Sequence, residues 1–156
     1  GGSFGASVAL VAGAKSKFVR DIVAVAGPID YRKHGKIDGV EEYDLISLQQ
    51  ELKVAYPEEW RIDFTKWQDF VSGDLDINPY DYIDILKHKN TFIVHGQNDT
   101  SVWVGHSKAF HNELLFGSGH HQLIIVDDLN HLGAYYIANV NIHNHILEWL
   151  TNPKQK

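Results

Sequence analysis

The chain opens on Gly1-Gly2-Ser3-Phe4-Gly5, a Gly-x-Ser-x-Gly pattern. A serine in this pattern sits in a tight turn from strand to helix. Its hydroxyl stands clear of the turn, and glycines flank it where neighbouring backbones come close. The chemistry open to such a serine is nucleophilic attack on a carbonyl. That needs a base to take its proton and a third group to orient the base. The backbone N–H of the following residue, Phe4, would hold part of the resulting oxyanion. Glycine and serine are also linker residues, so the pattern by itself has a second, non-chemical reading.

Two later places could supply the base and its partner. In Ile93-Val94-His95-Gly96-Gln97-Asn98-Asp99 a strand ends, a glycine turns the chain, and an acid follows. In Val126-Asp127-Asp128-Leu129-Asn130-His131 a second strand ends and a histidine stands in the loop before the last helix. Each has an ordinary reading in isolation: Asp99 as a cap for the helix that begins near Trp103, His131 as a surface residue. The chain has 10 histidines, so coincidence is easy. His120 and His121 lie at the wrong end of their strand, and His143 and His145 fall in the last helix. His95 packs or hydrogen-bonds in its turn. His34, His88, His106 and His111 have no evident partner. His143-x-His145 lacks the i,i+4 spacing and nearby carboxylates of a metal site; no residue pattern in the chain implies a metal or an organic cofactor. What singles out Ser3, Asp99 and His131 is their order, nucleophile then acid then base, with a strand before both Asp99 and His131.

The elements that must position them are of the α/β type. Asp21–Ala26, Thr91–His95 and Gln122–Asp127 are short apolar runs without alternation, as in strands buried on both faces of a parallel sheet. Helical patterns cover Ser7–Lys17, Val102–Leu115 and Gly133–Leu150, the last with Ile137, Val140, Ile146, Leu147 and Leu150 near helical spacing. Strand–helix alternation implies right-handed crossovers. Residues from about 31 to 89 break that rhythm with helices expected at Glu42–Tyr56, Pro57–Val71 and Tyr80–His88. Pro57 followed by two glutamates makes a good helix start. This segment is rich in large aromatics and reads as an insertion over one end of the sheet.

Composition narrows the class. The 156 residues suffice for one modest domain, and 44% apolar with 12% aromatic residues fits a folded protein. A net charge of −6 with no basic run argues against nucleic-acid binding. No apolar stretch is long enough to span a bilayer, which fits a soluble chain; the sequence leaves the compartment open, with the cytoplasm as the default. There is no cysteine for disulfides or thiolate sites. There is also no methionine, even at position 1, which implies a translation start upstream.

Taken together, Gly1–Ala6, His95–Val102, Asn130-His131 and Asp76-Ile77-Asn78-Pro79 resemble the later part of the α/β-hydrolase fold. The likeness is greatest to the catalytic domain of prolyl-oligopeptidase-type serine peptidases and their esterase relatives. It spans essentially the whole chain. It implies a partial α/β-hydrolase domain over residues 1–156, with residues 31–89 as a cap and Ser3, Asp99 and His131 as a catalytic triad. The substrate would be a small-molecule ester or a peptide, hydrolysed through an acyl-enzyme, and Trp60, Phe64 and Trp67 could line its site, though each also reads as a helix core residue. The family's first strands and its second oxyanion donor are absent from these residues. Ser3 would lack its preceding strand, and the chain would need its N-terminal half, covalent or as a separate chain, to be active. Two rival readings are a non-catalytic relative used for binding or assembly, and a flavodoxin-like fragment with a chance Gly-Gly-Ser.

Overall fold

A computed structural model describes residues 1–131 and 140–152. Helix α1 (Phe4–Lys15) leads to strand β1 (Asp21–Val25). Helices α2 (Leu45–Ala55) and α3 (Phe64–Val71) follow, then a 3-10 turn (Pro79–Tyr82) that runs into α4 (Ile83–Leu86). Strand β2 (Asn90–Gly96), helix α5 (Val104–Leu114), strand β3 (His121–Val126) and helix α6 (Val140–Thr151) complete the order. The three strands form one parallel sheet in the order β1-β2-β3, with Val23 opposite Phe92 and Ile93 opposite Leu123.

Alternation along the strands sorts their side chains onto two faces. On one, Ile22, Ala24 and Ile93 pack with Leu10 and Ala14 of α1, Leu86 of α4, and Phe110 and Leu114 of α5. On the other, Val25, Phe92 and Val94 pack against Ile142 and Trp149 of α6. Strand β2 is therefore buried on both faces, as its unbroken apolar run implies. Strand β3 differs from that expectation. Among the described residues it pairs only with β2, and most of its side chains stay half-exposed.

Between β1 and β2 the chain builds a third cluster from Tyr31, Leu45, Trp67 and Val71, which Phe4 of α1 also joins. The Trp67 indole N–H donates to the Leu45 carbonyl at 2.7 Å. Helix α3 does not begin at Pro57. Residues 57–59 form a turn, and the helix starts after Asp63, whose carboxylate accepts from Lys66 N–H at 2.8 Å. A side-chain cap on a first-turn amide outweighs the propensity of a Pro-Glu-Glu start. The expected beginning of the last helix, Gly133 with Ile137, lies outside the described residues. Among the described residues no helix is long and apolar enough to cross a membrane.

Candidate active site

The turn around Ser3 is built by backbone geometry. Ser3 has φ 51° and ψ −130°, a left-handed conformation that a side-chain-bearing residue adopts only where its surroundings impose it. Gly1 and Gly2 impose it by pairing alongside β1. Val25 N–H donates to the Gly1 carbonyl at 2.9 Å, Ser3 N–H donates to the Val25 carbonyl at 2.9 Å, and Gly2 bridges Val25 in parallel. Ser3 thus has a two-residue strand stub before it, where the sequence suggests none. Glycine is required at position 1, since a Cβ there would sit 2.0 Å from the Gly5 carbonyl oxygen. It is not required in the same way at Gly5, where a Cβ would meet nothing within 4 Å. Helix α1 starts at Phe4 rather than Ser7, and Phe4 N–H is one of the first-turn amides that a helix leaves without an internal partner.

At the same end of the sheet the acid and the base arrive on adjacent strand ends, after β2 and β3. The loop after β2 is tied to the loop after β3 by Gln97 N–H to the Val126 carbonyl at 2.9 Å and Asn98 N–H to the Leu129 carbonyl at 3.0 Å. Gly96 permits this approach, because a Cβ there would lie 2.3 Å from the Leu129 carbonyl oxygen. The result is one continuous relay. His131 Nδ1–H donates to Asp99 Oδ2 at 2.8 Å, and His131 Nε2 accepts from the Ser3 hydroxyl at 3.0 Å. Residues 128 positions apart in the chain meet here.

Asp99 is buried and fully hydrogen-bonded. Its Oδ1 accepts from Ser101 N–H and Val102 N–H, both at 2.9 Å. Its Oδ2 takes a second imidazole: His95 Nε2 lies 3.1 Å away and also donates to the Val102 carbonyl at 2.8 Å, while the Ser107 hydroxyl donates to His95 Nδ1 at 2.7 Å. Burial alone would push the Asp99 carboxyl up. The hydrogen bonds from His131, His95 and Val102 N–H outweigh it and hold the group well below the usual carboxylate range. Since the folded value is depressed, the stability Asp99 confers is present above the unfolded Asp value of about 3.9 and is lost as pH falls towards the folded value. The stability gap between wild type and Asp99→Asn, measured by denaturant unfolding, should be greatest near neutrality and narrow below about pH 4. A gap that stays flat with pH would contradict this account of Asp99.

A cavity of about 360 Å³ opens on the relay, with Ser3, Phe4, Pro28, Leu45, Leu48 and His131 among its walls. A neighbouring apolar cavity of about 460 Å³ shares Phe4 and Leu52 with it and is bounded by Trp67 and Phe70. Of the three aromatics singled out in the sequence, only Trp67 borders these cavities. Trp60 packs beside Trp67, with ring centroids 5.5 Å apart. Phe64 is 48% exposed and lines neither cavity. The sequence reading missed His95 as a second partner of Asp99, although both lie within one turn. It also missed Glu42, whose carboxylate is buried beside His106 and beside His34, which lines the same cavity. Burial pushes Glu42 up, but the His106 ring and the N–H groups of Gly35 and Trp103 prevail and hold it at about 2.

A family model described as the prolyl oligopeptidase family matches residues 1–155. An esterase of Pyrococcus furiosus is 22% identical and superposes with a TM-score of 0.65 over 96% of this chain and 51% of that one. The α/β hydrolase GrgF of a Penicillium species is 17% identical, with a TM-score of 0.64 over 96% of this chain and 61% of that one. Est1E of Butyrivibrio proteoclasticus is 18% identical, with a TM-score of 0.61 over 97% and 60%. No curated protein matches in sequence. These structures share the α/β-hydrolase fold with this chain, which spans between 51% and 61% of their length.

Proposed function

The chain belongs to the prolyl oligopeptidase family, and from that premise we propose that it carries the nucleophile, base and acid of a serine hydrolase acting on ester or peptide bonds. The observation that carries this reading is the unbroken relay from Ser3 Oγ through His131 to Asp99, at 3.0 and 2.8 Å. Ser3 attacks the substrate carbonyl while His131 Nε2 takes its proton. The C–O or C–N bond to the leaving group breaks as His131 returns that proton to it. Water, deprotonated by His131 in the same way, then releases the acyl group from Ser3. Asp99 keeps the proton on His131 Nδ1 and stabilises the imidazolium formed in each step. The strained Ser3 turn directs Phe4 N–H towards the developing oxyanion and supplies one of its donors.

The further strands and a second oxyanion donor belong, in this reading, to a segment outside these residues. Residues 1–156 are then the later part of one α/β-hydrolase domain, with residues 31–89 as a cap over the catalytic cavity. The walls contributed by Phe4, Leu45 and Leu48 favour an apolar acyl or leaving group, and Trp67 extends that surface into the adjoining cavity. A fluorophosphonate probe applied to the whole protein is expected to add to Ser3, as read by peptide mass spectrometry. Labelling that persists in Ser3→Ala, or no labelling of the folded protein, would overturn the assignment.

A further inference from the structure

We propose that His34, Glu42 and His106 form a binding site for a borderline divalent cation, with zinc as the best fit, that clamps the 31–89 segment onto helix α5 beside the catalytic cavity. The site is independent of the hydrolase chemistry and shares no residue with the relay.

Three side chains converge there from two parts of the fold. His34 and Glu42 come from the segment after β1, and His106 from α5. Their side chains are 1%, 0% and 5% exposed, and one ligand atom from each lies within 4.8 Å of the other two. His106 Nε2 is 2.8 Å from Glu42 Oε1, and His34 Nδ1 is 3.4 Å from the same oxygen.

His34 carries the argument. Its Nε2 faces the Tyr43 carbonyl at 3.2 Å, which can only accept, so the ring proton sits on Nε2. In the neutral ring Nδ1 is then a bare lone pair. It is buried, aimed at a carboxylate oxygen, and without a hydrogen-bond partner among the described residues. Two lone pairs facing each other in a desolvated pocket repel, and an orphaned buried polar atom needs an explanation. A cation between them turns the repulsion into two bonds.

The supporting contacts are those a metal site requires. An imidazole that donates its distal N–H to a backbone carbonyl is held in the right tautomer and orientation for coordination. Glu42 is fixed by Gly35 N–H on Oε2 at 2.7 Å and by Trp103 N–H on Oε1 at 2.8 Å, which leaves it a lone pair for a cation. Two imidazole nitrogens and one carboxylate oxygen suit zinc and its borderline neighbours and do not suit magnesium, which prefers oxygen and water. Spacing agrees to within small movements. For bonds of about 2.0–2.1 Å, tetrahedral ligands lie about 3.3–3.4 Å apart. The His34–Glu42 pair is at that separation, the His106–Glu42 pair must open slightly, and the two histidine nitrogens lie within 4.8 Å of each other. His106 would pass its Nε2 proton to Nδ1 or to solvent on binding.

The test is direct. Metal-stripped protein is dialysed against micromolar Zn2+ or Mg2+, bound metal is counted by elemental analysis, and thermal unfolding is followed in parallel. One zinc per chain and a raised Tm are expected, with neither effect from Mg2+. His34→Gln and Glu42→Gln should bind zinc about 100-fold more weakly or worse, since loss of a group that merely orients a ligand costs up to that much. His121→Ala, a histidine outside the cluster, should bind normally. If the variants unfold, Co2+ bound to wild type decides, because it should shift the ring-proton resonances of His34 and His106. No retained zinc, zinc retained equally by folded His34→Gln, or unshifted His34 and His106 rings would each overturn the proposal.

Discussion

His131→Ala is expected to lower kcat on an activated ester by about 10⁴- to 10⁶-fold, with KM nearly unchanged. A serine hydroxyl is a poor nucleophile at neutral pH, and its reactivity depends on a base within hydrogen-bond reach of its proton. His131 Nε2 is the only imidazole nitrogen bonded to Ser3 Oγ among the described residues, at 3.0 Å. The substitution removes an interaction that matters in the transition state and barely touches the ground-state complex, so the loss falls on kcat. The three groups act as a unit, so Ser3→Ala with His131→Ala should be little worse than either alone. The measurement is hydrolysis of a p-nitrophenyl ester by the whole protein, with a fluorophosphonate titration to count competent sites. A His131→Ala protein within tenfold of wild type would show that another group serves as base.

Much of this site was legible because its signals are local. The Gly-x-Ser-x-Gly start, the glycine before Asp99 and the loop before His131 each occupy a few residues. The apolar runs that end at Val25, Gly96 and Val126 place them at one end of a parallel sheet. The rest depends on contacts that sequence spacing hides. The Gly1–Gly2 stub is too short to show any periodicity, and only its hydrogen bonds to β1 reveal it. Helix α3 begins at its Asp63 cap, whose carboxylate holds Lys66 N–H, against a favourable local pattern at Pro57. The exposure of β3 depends on which elements cover it, which its apolar run does not encode. Glu42 and His106 are 64 positions apart and belong to segments of different character, so nothing short of the fold unites them.

His95 illustrates the same point within a single turn, and it carries the second large effect. Its ring is wholly buried and makes three polar contacts: with Asp99 Oδ2 at 3.1 Å, the Val102 carbonyl at 2.8 Å and the Ser107 hydroxyl at 2.7 Å. His95→Ala leaves a cavity and strands a carbonyl and a hydroxyl without partners, at a cost of about 2–4 kcal/mol in stability. It also takes one of two imidazole donors from the Asp99 carboxylate, so the acid holds His131 less firmly. A fall in kcat of about 10- to 100-fold is expected, measured well below the variant's Tm so that unfolding does not account for it. His95→Gln separates the two roles. Its side-chain amide can again donate to Asp99 and Val102 while filling the space less well, so kcat should recover further than stability does. If His95→Ala loses stability but keeps wild-type kcat in the folded state, then Asp99 is positioned by Ser101 and Val102 N–H alone, and His95 serves the fold without serving the relay.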